Sequence, residues 1–461
     1  MGPRNRLTTL RASQLKRYIG AAKPRFEEML AELVETPSVS ADPQYAGDVR
    51  RSATLASQFF KHVGADARII KTSGYPVVSA GWTVDARFPT LTIYNHLDVQ
   101  PAQEPQWRHP PFSFRKKGGV YYGRGTTDDK GPAITALLAA QYAAEAEIPI
   151  NVRFLWECEE EIGSPNFGDA FKQKGLIPKP DSVLVSDTIW VSRTRPAIPY
   201  GLRGLLGVRL CLQTGHNDVH SGVTGGAARN PLAELCAVAA ACADAHSGHV
   251  HIPGFYKAVI PPSRSELQGF LASGFRVAHF KRTHGLRAIR TTDPADLLKR
   301  IWACPTFEVH GLVGGYAGPG IKTVVPGQAE LKISMRLVPD QKPEHILKLL
   351  RDFVAKINPS VRVVGEGMLH PYKTSIADRY ADAVREAVRE GFGKDPVFIR
   401  EGGSIGAVPK LAKLWNVPIM FLGLSLPEHG YHAPNEQFDW GQAMGGIRAF
   451  VSYFSKLSKV P

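Results

Sequence analysis

Histidines and carboxylates recur in this chain where apolar runs end, which is where a fold can gather them around a cation. The clearest case is residues 91–100, LTIYNHLDVQ, which climbs through Leu91, Ile93 and Tyr94 and ends in His96 and Asp98. The run reads as a buried strand whose end carries chemistry. Two positions apart on a strand, His96 and Asp98 point to the same side. A neutral imidazole ligates divalent metals, and a nearby carboxylate can set which ring nitrogen faces the ion. Residues 120–131, VYYGRGTTDDKG, put Asp128 and Asp129 at a helix start. The spacing is not that of a phosphate loop, and two aspartates would repel a phosphate, so a cation suits them better. Residues 150–156 run into Glu157, Glu159, Glu160 and Glu161. Glutamates crowded after a buried strand need a compensating cation. Residues 182–186 end in Asp187, and a late strand leads to His432.

Two histidines and three carboxylates can hold a pair of divalent ions with one carboxylate bridging. Mixed nitrogen and oxygen donors suit Zn2+, with Mn2+ as a substitute. Such a pair makes a water nucleophilic near neutral pH and clamps a carbonyl under attack. One glutamate must stay off the metals to take the water's proton. The spacing leaves open which of the four glutamates that is.

The elements that must position these groups alternate. Helical periodicity covers residues 14–36 and 47–63, and strands are expected at 67–71, 77–82 and 90–94. An Ala/Leu-rich helix at 132–146 and strands at 150–156 and 182–186 follow. The pattern predicts an α/β fold, a mainly parallel sheet with helices on both faces and ligands at the carboxyl ends of its strands. From about residue 205 the texture changes. Strands at 205–213, 306–312, 328–337 and 361–364, helices at 231–245 and 343–356, and a return crossing at 365–372 predict a smaller α+β unit. The first texture then resumes, with helices at 377–391 and 440–457 and strands at 397–400 and 417–422. The expected division is a catalytic domain over 1–204 and 370–461, interrupted by an inserted domain over 205–369.

Composition narrows the classes. A chain of 461 residues exceeds one ordinary core, and 43% hydrophobic with 21% charged residues is the balance of a globular protein. No apolar run approaches the roughly 20 residues of a membrane span. Residues 1–20 lack the apolar core of a signal peptide, and Arg6 stands where a myristoylation signal has Ser or Thr. A cytoplasmic protein is expected. The five cysteines form no Cys-x-x-Cys pair and are expected to be buried thiols. The net charge of +14 is spread along the chain with no nucleic-acid motif, so a solvated basic surface is expected rather than a nucleic-acid partner.

HLDVQPA, YGRGTTDDKGP, EEEIGS, VSDTIW, DVHSG, RLVP, EGGSI and the His432 segment occur in this order along nearly the whole chain. Together they resemble a dinuclear-zinc metallopeptidase family. It includes carnosine dipeptidase, cytosolic non-specific dipeptidase, glutamate carboxypeptidases, succinyl-diaminopimelate desuccinylase and aminoacylase. The dipeptidase branch is the most similar, through HLDVQP, GRGTTDDKGP and HSGVTGG. The resemblance implies a zinc-peptidase-like catalytic domain with an inserted dimerisation, or lid, domain. It implies two divalent ions, with His96 and His432 each binding one, Asp128 bridging them, and Glu161 completing one site and Asp187 the other. Asp98 would orient His96. Gly163-Ser164 sets the glutamate register and makes Glu160 the general base, which passes its proton to the leaving amine. A cis peptide is implied at Asp128–Asp129. His220 would reach from a second subunit to polarise the scissile carbonyl, with Thr323 crossing beside it. Arg336 would take the substrate carboxylate, and Gly403 and Ser404 would line the pocket. The implied activity is hydrolysis of dipeptides with a free C-terminal carboxylate. The alternatives are an N-acyl or N-carbamoyl amino acid amidohydrolase or a carboxypeptidase, and, in another class, a catalytically idle binding protein.

Overall fold

The computed structural model describes residues 3–172 and 175–459; the Met1-Gly2 terminus read above lies outside them. The main sheet has six strands, in the order Asp66–Ile70, Val77–Trp82, Asn151–Glu157, Thr90–His96, Ser182–Val185 and Ile419–Phe421. The last four run parallel, so their carboxyl ends open on one edge of the sheet. The first two are antiparallel additions. Residues 71–76 are too few for a crossover and leave room only for a hairpin turn.

Period-two alternation divides each central strand between two cores. Leu91, Ile93, Val152, Phe154 and Trp156 face one cluster, packed under the helices Ala46–His62, Gly131–Glu145, Arg379–Phe392 and Trp440–Leu457. Tyr94, Leu155, Val183 and Val185 face the other, beneath Phe167 and the helix Ala407–Trp415. The helix Gly131–Glu145 is buried almost all round, which its Ala/Leu composition permits. The architecture is therefore the expected α/β layering, with helices on both faces.

A second sheet has four antiparallel strands, in the order Glu308–Gly314, Gln328–Leu337, Gly204–Gln213 and Arg362–Leu369. Leu206, Val208, Leu210 and Leu212 alternate onto its buried face, under the helices Pro231–Cys242 and Pro343–Ile357. The return crossing expected at 365–372 is instead mostly strand. A bulge between Gly365 and Gly367 lets Arg362–Leu369 continue along its partner.

Two features were not foreseen. Ala197–Leu202 forms a separate three-stranded sheet with Tyr372–Lys373 and Val397–Glu401, so the strand expected at 397–400 does not join the main sheet. Three helices, Arg264–Ala272, Val277–Thr283 and Pro294–Trp302, occupy the basic stretch after residue 263. Phe270, Leu298 and Trp302 pack on Ala197, Tyr200 and Ile399 of that small sheet. The cysteines also need correcting. Cys158 and Cys242 are buried, but Cys236 is exposed, because Leu235, Val238 and Cys242 take the inner face of their helix. No helix among the described residues is long and apolar enough to cross a membrane.

Candidate metal centre and active site

The four parallel strands deliver their loops to one place. His96 ends Thr90–His96, Glu160 and Glu161 follow Asn151–Glu157, Asp187 follows Ser182–Val185, and His432 lies in the loop after Ile419–Phe421. Asp128 comes from the tight turn before the helix Gly131–Glu145, and its bond to Asp129 is cis. His96 Nε2 is 2.9 Å from Asp128 Oδ1 and 3.8 Å from Asp187 Oδ2. His432 Nε2 is 2.8 Å from Asp128 Oδ2 and 3.2 Å from Glu161 Oε2. Two donor groups result, His96–Asp128–Asp187 and Asp128–Glu161–His432, each with its ligating atoms within 4.8 Å of one another. Asp128 belongs to both.

The charges of the centre ask for a cation. Burial pushes the Glu160 carboxyl well above the usual range, with Asp187 and Glu161 adding to it against the pull of His96. It also raises Asp187, and takes Glu161 to about 7. For Asp128 burial acts the same way, but the two imidazoles outweigh it and hold the carboxyl below its ordinary value. The imidazoles respond in kind. Burial opposes their charge, yet Asp128 and the neighbouring carboxylates raise His96 well above its ordinary value and His432 to about 11. A field that keeps a proton on both rings favours cations between these donors. Each oxygen of Asp128 faces an imidazole, Oδ1 the His96 ring at 2.9 Å and Oδ2 the His432 ring at 2.8 Å. A carboxylate shared between two imidazoles, with Asp187 beside one ring and Glu161 beside the other, is a donor set that fits a pair of divalent ions.

The surrounding contacts separate the four glutamates. Glu157 accepts hydrogen bonds from the Tyr94 hydroxyl and from Ser164 Oγ at 2.8 Å. Glu159 accepts from the backbone of Tyr75 at 2.7 Å and of Asn166 at 3.0 Å. Both are occupied with structure, leaving Glu160 and Glu161 at the centre. Asp98 fixes that pair, since its carboxylate accepts from Glu160 N at 3.1 Å and Glu161 N at 3.0 Å. The His96 ring lies nearer the Asp98 backbone oxygen (Nδ1 at 3.0 Å) than its carboxylate (3.5 Å). The side chain thus sets the glutamate turn, and the backbone of the same residue sets the ring.

The Peptidase family M20/M25/M40 model matches residues 92–456. The chain belongs to this family. It is 28% identical to the human Beta-Ala-His dipeptidase over 96% of this chain and 92% of that one. Identity to the Cys-Gly metallodipeptidase dug1 of Schizosaccharomyces pombe is 30%, over 97% and 98%. The solved M20 family metallo-carboxypeptidase Sso-CP2 of Sulfolobus solfataricus superimposes with a TM-score of 0.87 at 30% identity, covering 93% of this chain and 98% of that one.

Beside this candidate metal centre lies a cleft of about 920 Å³ that reaches from Tyr431 and His432, past Glu401 and Gly403, to the helix Val277–Thr283. Arg276, His279 and Arg282 line its outer part with Phe275 and Phe280. Arg336 and Ser404 sit together near Gly403, with Arg336 Nη1 donating to Ser404 Oγ at 2.9 Å. Arg203 joins them, its Nε donating to Gly402 O at 3.1 Å and its backbone N to Gly403 O at 3.0 Å. Neither guanidinium has a carboxylate partner among the described residues. His220 and Thr323 are not brought to the cleft of their own chain. Both are exposed on a two-stranded ribbon, Val219–His220 against Val324–Val325, and Ser221 N donates to Thr323 O at 2.9 Å.

Several residues of the site escaped the sequence reading. Glu436 accepts from the backbone N–H groups of Gly125, Thr127 and Asp128 and from Arg124, pinning the turn that carries Asp128. The Tyr431 hydroxyl donates to Asp187, and Gln100 Nε2 to Glu161 at 2.7 Å. Asn95 donates at 2.7 Å to Asp129, which the sequence reading paired with Asp128 for a cation but which belongs to neither donor group. All lie within two residues of a quoted motif or inside it, but only contact across the fold shows what they hold.

Proposed function

We propose that this chain is a two-metal dipeptidase, active as a homodimer, that hydrolyses dipeptides with a free C-terminal carboxylate. The observation that supports this most is the sharing of Asp128 between two donor groups beside a cleft lined by Arg203, with Arg336 next to it on Ser404 and without a carboxylate partner among the described residues. His96, Asp128 and Asp187 would hold one ion and Asp128, Glu161 and His432 the other, with Zn2+ the best match and Mn2+ an alternative. When bound, such ions supply electrophilic activation of a carbonyl and acidify water. Glu160, held by Asp98 and free of hydrogen bonds at its carboxylate among the described residues, takes a proton from the attacking water at its own oxygen and returns it to the departing amine. Arg336, steadied by Ser404, forks onto the substrate carboxylate. The test is direct. Protein loaded with Zn2+ or Mn2+ is assayed against a dipeptide panel, tripeptides and N-acyl amino acids. Preference for dipeptides supports the reading. Preference for N-acyl amino acids or for longer peptides supports the amidohydrolase or the carboxypeptidase reading, and the Sulfolobus solfataricus structure keeps the latter in play.

Amidating the C-terminus of a good dipeptide substrate is expected to lower kcat/KM by roughly 10–100-fold, the worth of a charge-assisted pair. In Arg336→Ala both forms should be hydrolysed at similarly low efficiency. Equal rates for acid and amide in the native protein would remove Arg336 from this role.

The exposed ribbon bearing His220 and Thr323 suggests a site completed by a second subunit. An imidazole donating to the carbonyl oxygen is worth roughly 10²–10³ in rate. His220→Ala and Glu160→Gln proteins are each expected to be nearly inactive. Mixing them under conditions that exchange subunits should restore activity, because one site of the mixed dimer has an intact Glu160 and borrows an intact His220. Demonstrated exchange with no recovery would place His220 outside the partner's site.

A further inference from the structure

Glu401 is the one carboxylate among the residues lining the cleft beside the metal centre. It ends the strand Val397–Glu401 and precedes Gly402-Gly403. One of its oxygens accepts from the backbone of Ile189, while Oε2 is buried with no hydrogen-bond partner. No ion pair neutralises it among the described residues, although Arg195, Arg203, Arg276 and Arg282 line the same cleft. Those arginines are otherwise engaged or stand on the outer part, and the apolar walls Ile189, Trp190 and Ile399 surround the acid. A buried carboxylate oxygen without a partner is costly to keep and is aimed at a ligand it meets only transiently.

We infer that Glu401 is the receptor for the free amino group of the substrate. This rests on the dipeptidase reading and sharpens it. Three residues beyond Glu401, Ser404 carries Arg336, and Arg203 holds the intervening glycines. An anionic and a cationic receptor therefore stand on either side of Gly402-Gly403, matching the two charges of a zwitterionic dipeptide. A side chain at Gly402 would meet Arg203 at 2.9 Å and the backbone of Ile301 at 3.0 Å, so the two receptors are joined by a segment with no room for growth. An N-acylated substrate would leave Glu401 facing a neutral amide, and the unpaired acid would then count against it.

The experiment compares alanyl-glycine with propionyl-glycine, which differs only in lacking the amine, in metal-loaded native protein and in Glu401→Gln. The native protein is expected to prefer the amine, and Glu401→Gln to reduce the ratio of the two kcat/KM values by roughly 10–100-fold. A merely structural substitution would lower both values and leave the ratio standing. Glu401→Asp, which keeps the charge, should recover part of the ratio. If Glu401→Gln leaves the ratio unchanged while free dipeptides remain the better substrates, the inference fails alone. Loss of bound metal in Glu401→Gln with an unchanged ratio also overturns it. If native protein prefers propionyl-glycine, the dipeptidase reading falls first and the inference with it.

Discussion

Glu160→Gln is expected to lower kcat by roughly 10²–10⁴-fold while both metal sites stay loaded, the range seen when a general base is lost. The substitution keeps the volume and the Asp98 contacts, which go to the backbone of residues 160 and 161. It removes only the capacity to hold a proton on a group that no hydrogen bond from the described residues engages. Burial already raises the Glu160 carboxyl, which brings it nearer the pH at which a base is most useful. Turnover and metal content should be measured on the same preparation, alongside Glu161→Gln. The reverse outcome, in which Glu160→Gln loses metal and Glu161→Gln keeps it, would show that the two carboxylates exchange roles.

Asp128→Asn is expected to empty both sites and bring activity to background. Its oxygens are divided, Oδ1 toward His96 and Oδ2 toward His432, so one substitution weakens a donor in each group. Changes outside the ligand sphere cost roughly 10–100-fold in metal affinity, and loss of a shared ligand should exceed that. His432→Ala, by contrast, touches one group and should leave the other partly loaded. Metal titration of the two variants separates the cases. Retention of two ions by Asp128→Asn would exclude it as the bridge.

Much of this centre could be read from the sequence because the fold writes it in short segments. His96 and Asp98 stand at one strand end, Asp128 lies in the turn before a helix, and chain direction gives the end of each run at which the candidate donors fall. Four adjacent parallel strands then bring those ends together, a step their alternation with helices implied. The glutamate register was different. Four identical side chains in five positions carry no label of their own; the resemblance placed the register on Gly163-Ser164, and the contacts of Tyr94, Ser164, Tyr75 and Asn166 show what occupies Glu157 and Glu159. The strand Ala197–Leu202 contains Pro199 and lies on a sheet of its own, so neither alternation nor propensity marks it. The helices between Arg264 and Trp302 are short, basic and held by caps at Ser263 and Asp293 rather than by a long apolar stripe. Glu401 and Glu436 were hidden because their importance lies in what surrounds them: an empty lone pair in one case, three backbone N–H groups in the other.

The clasp at Glu436 also sets an order of events during synthesis. Arg124 and Glu436 are 312 residues apart. At about 5–20 residues per second a ribosome needs roughly 15–60 s to cover that distance. Through this interval the Asp128 turn exists without the carboxylate that satisfies its N–H groups, and His96 exists without His432. The nascent chain thus carries an open half of the centre, with too few donors to retain two ions, until residues 425–439 emerge and fold back. With two ions bound as proposed, full loading is accordingly a late event, and a chain that stalls or is cut before this segment is left with the His96, Asp128 and Asp187 donors alone.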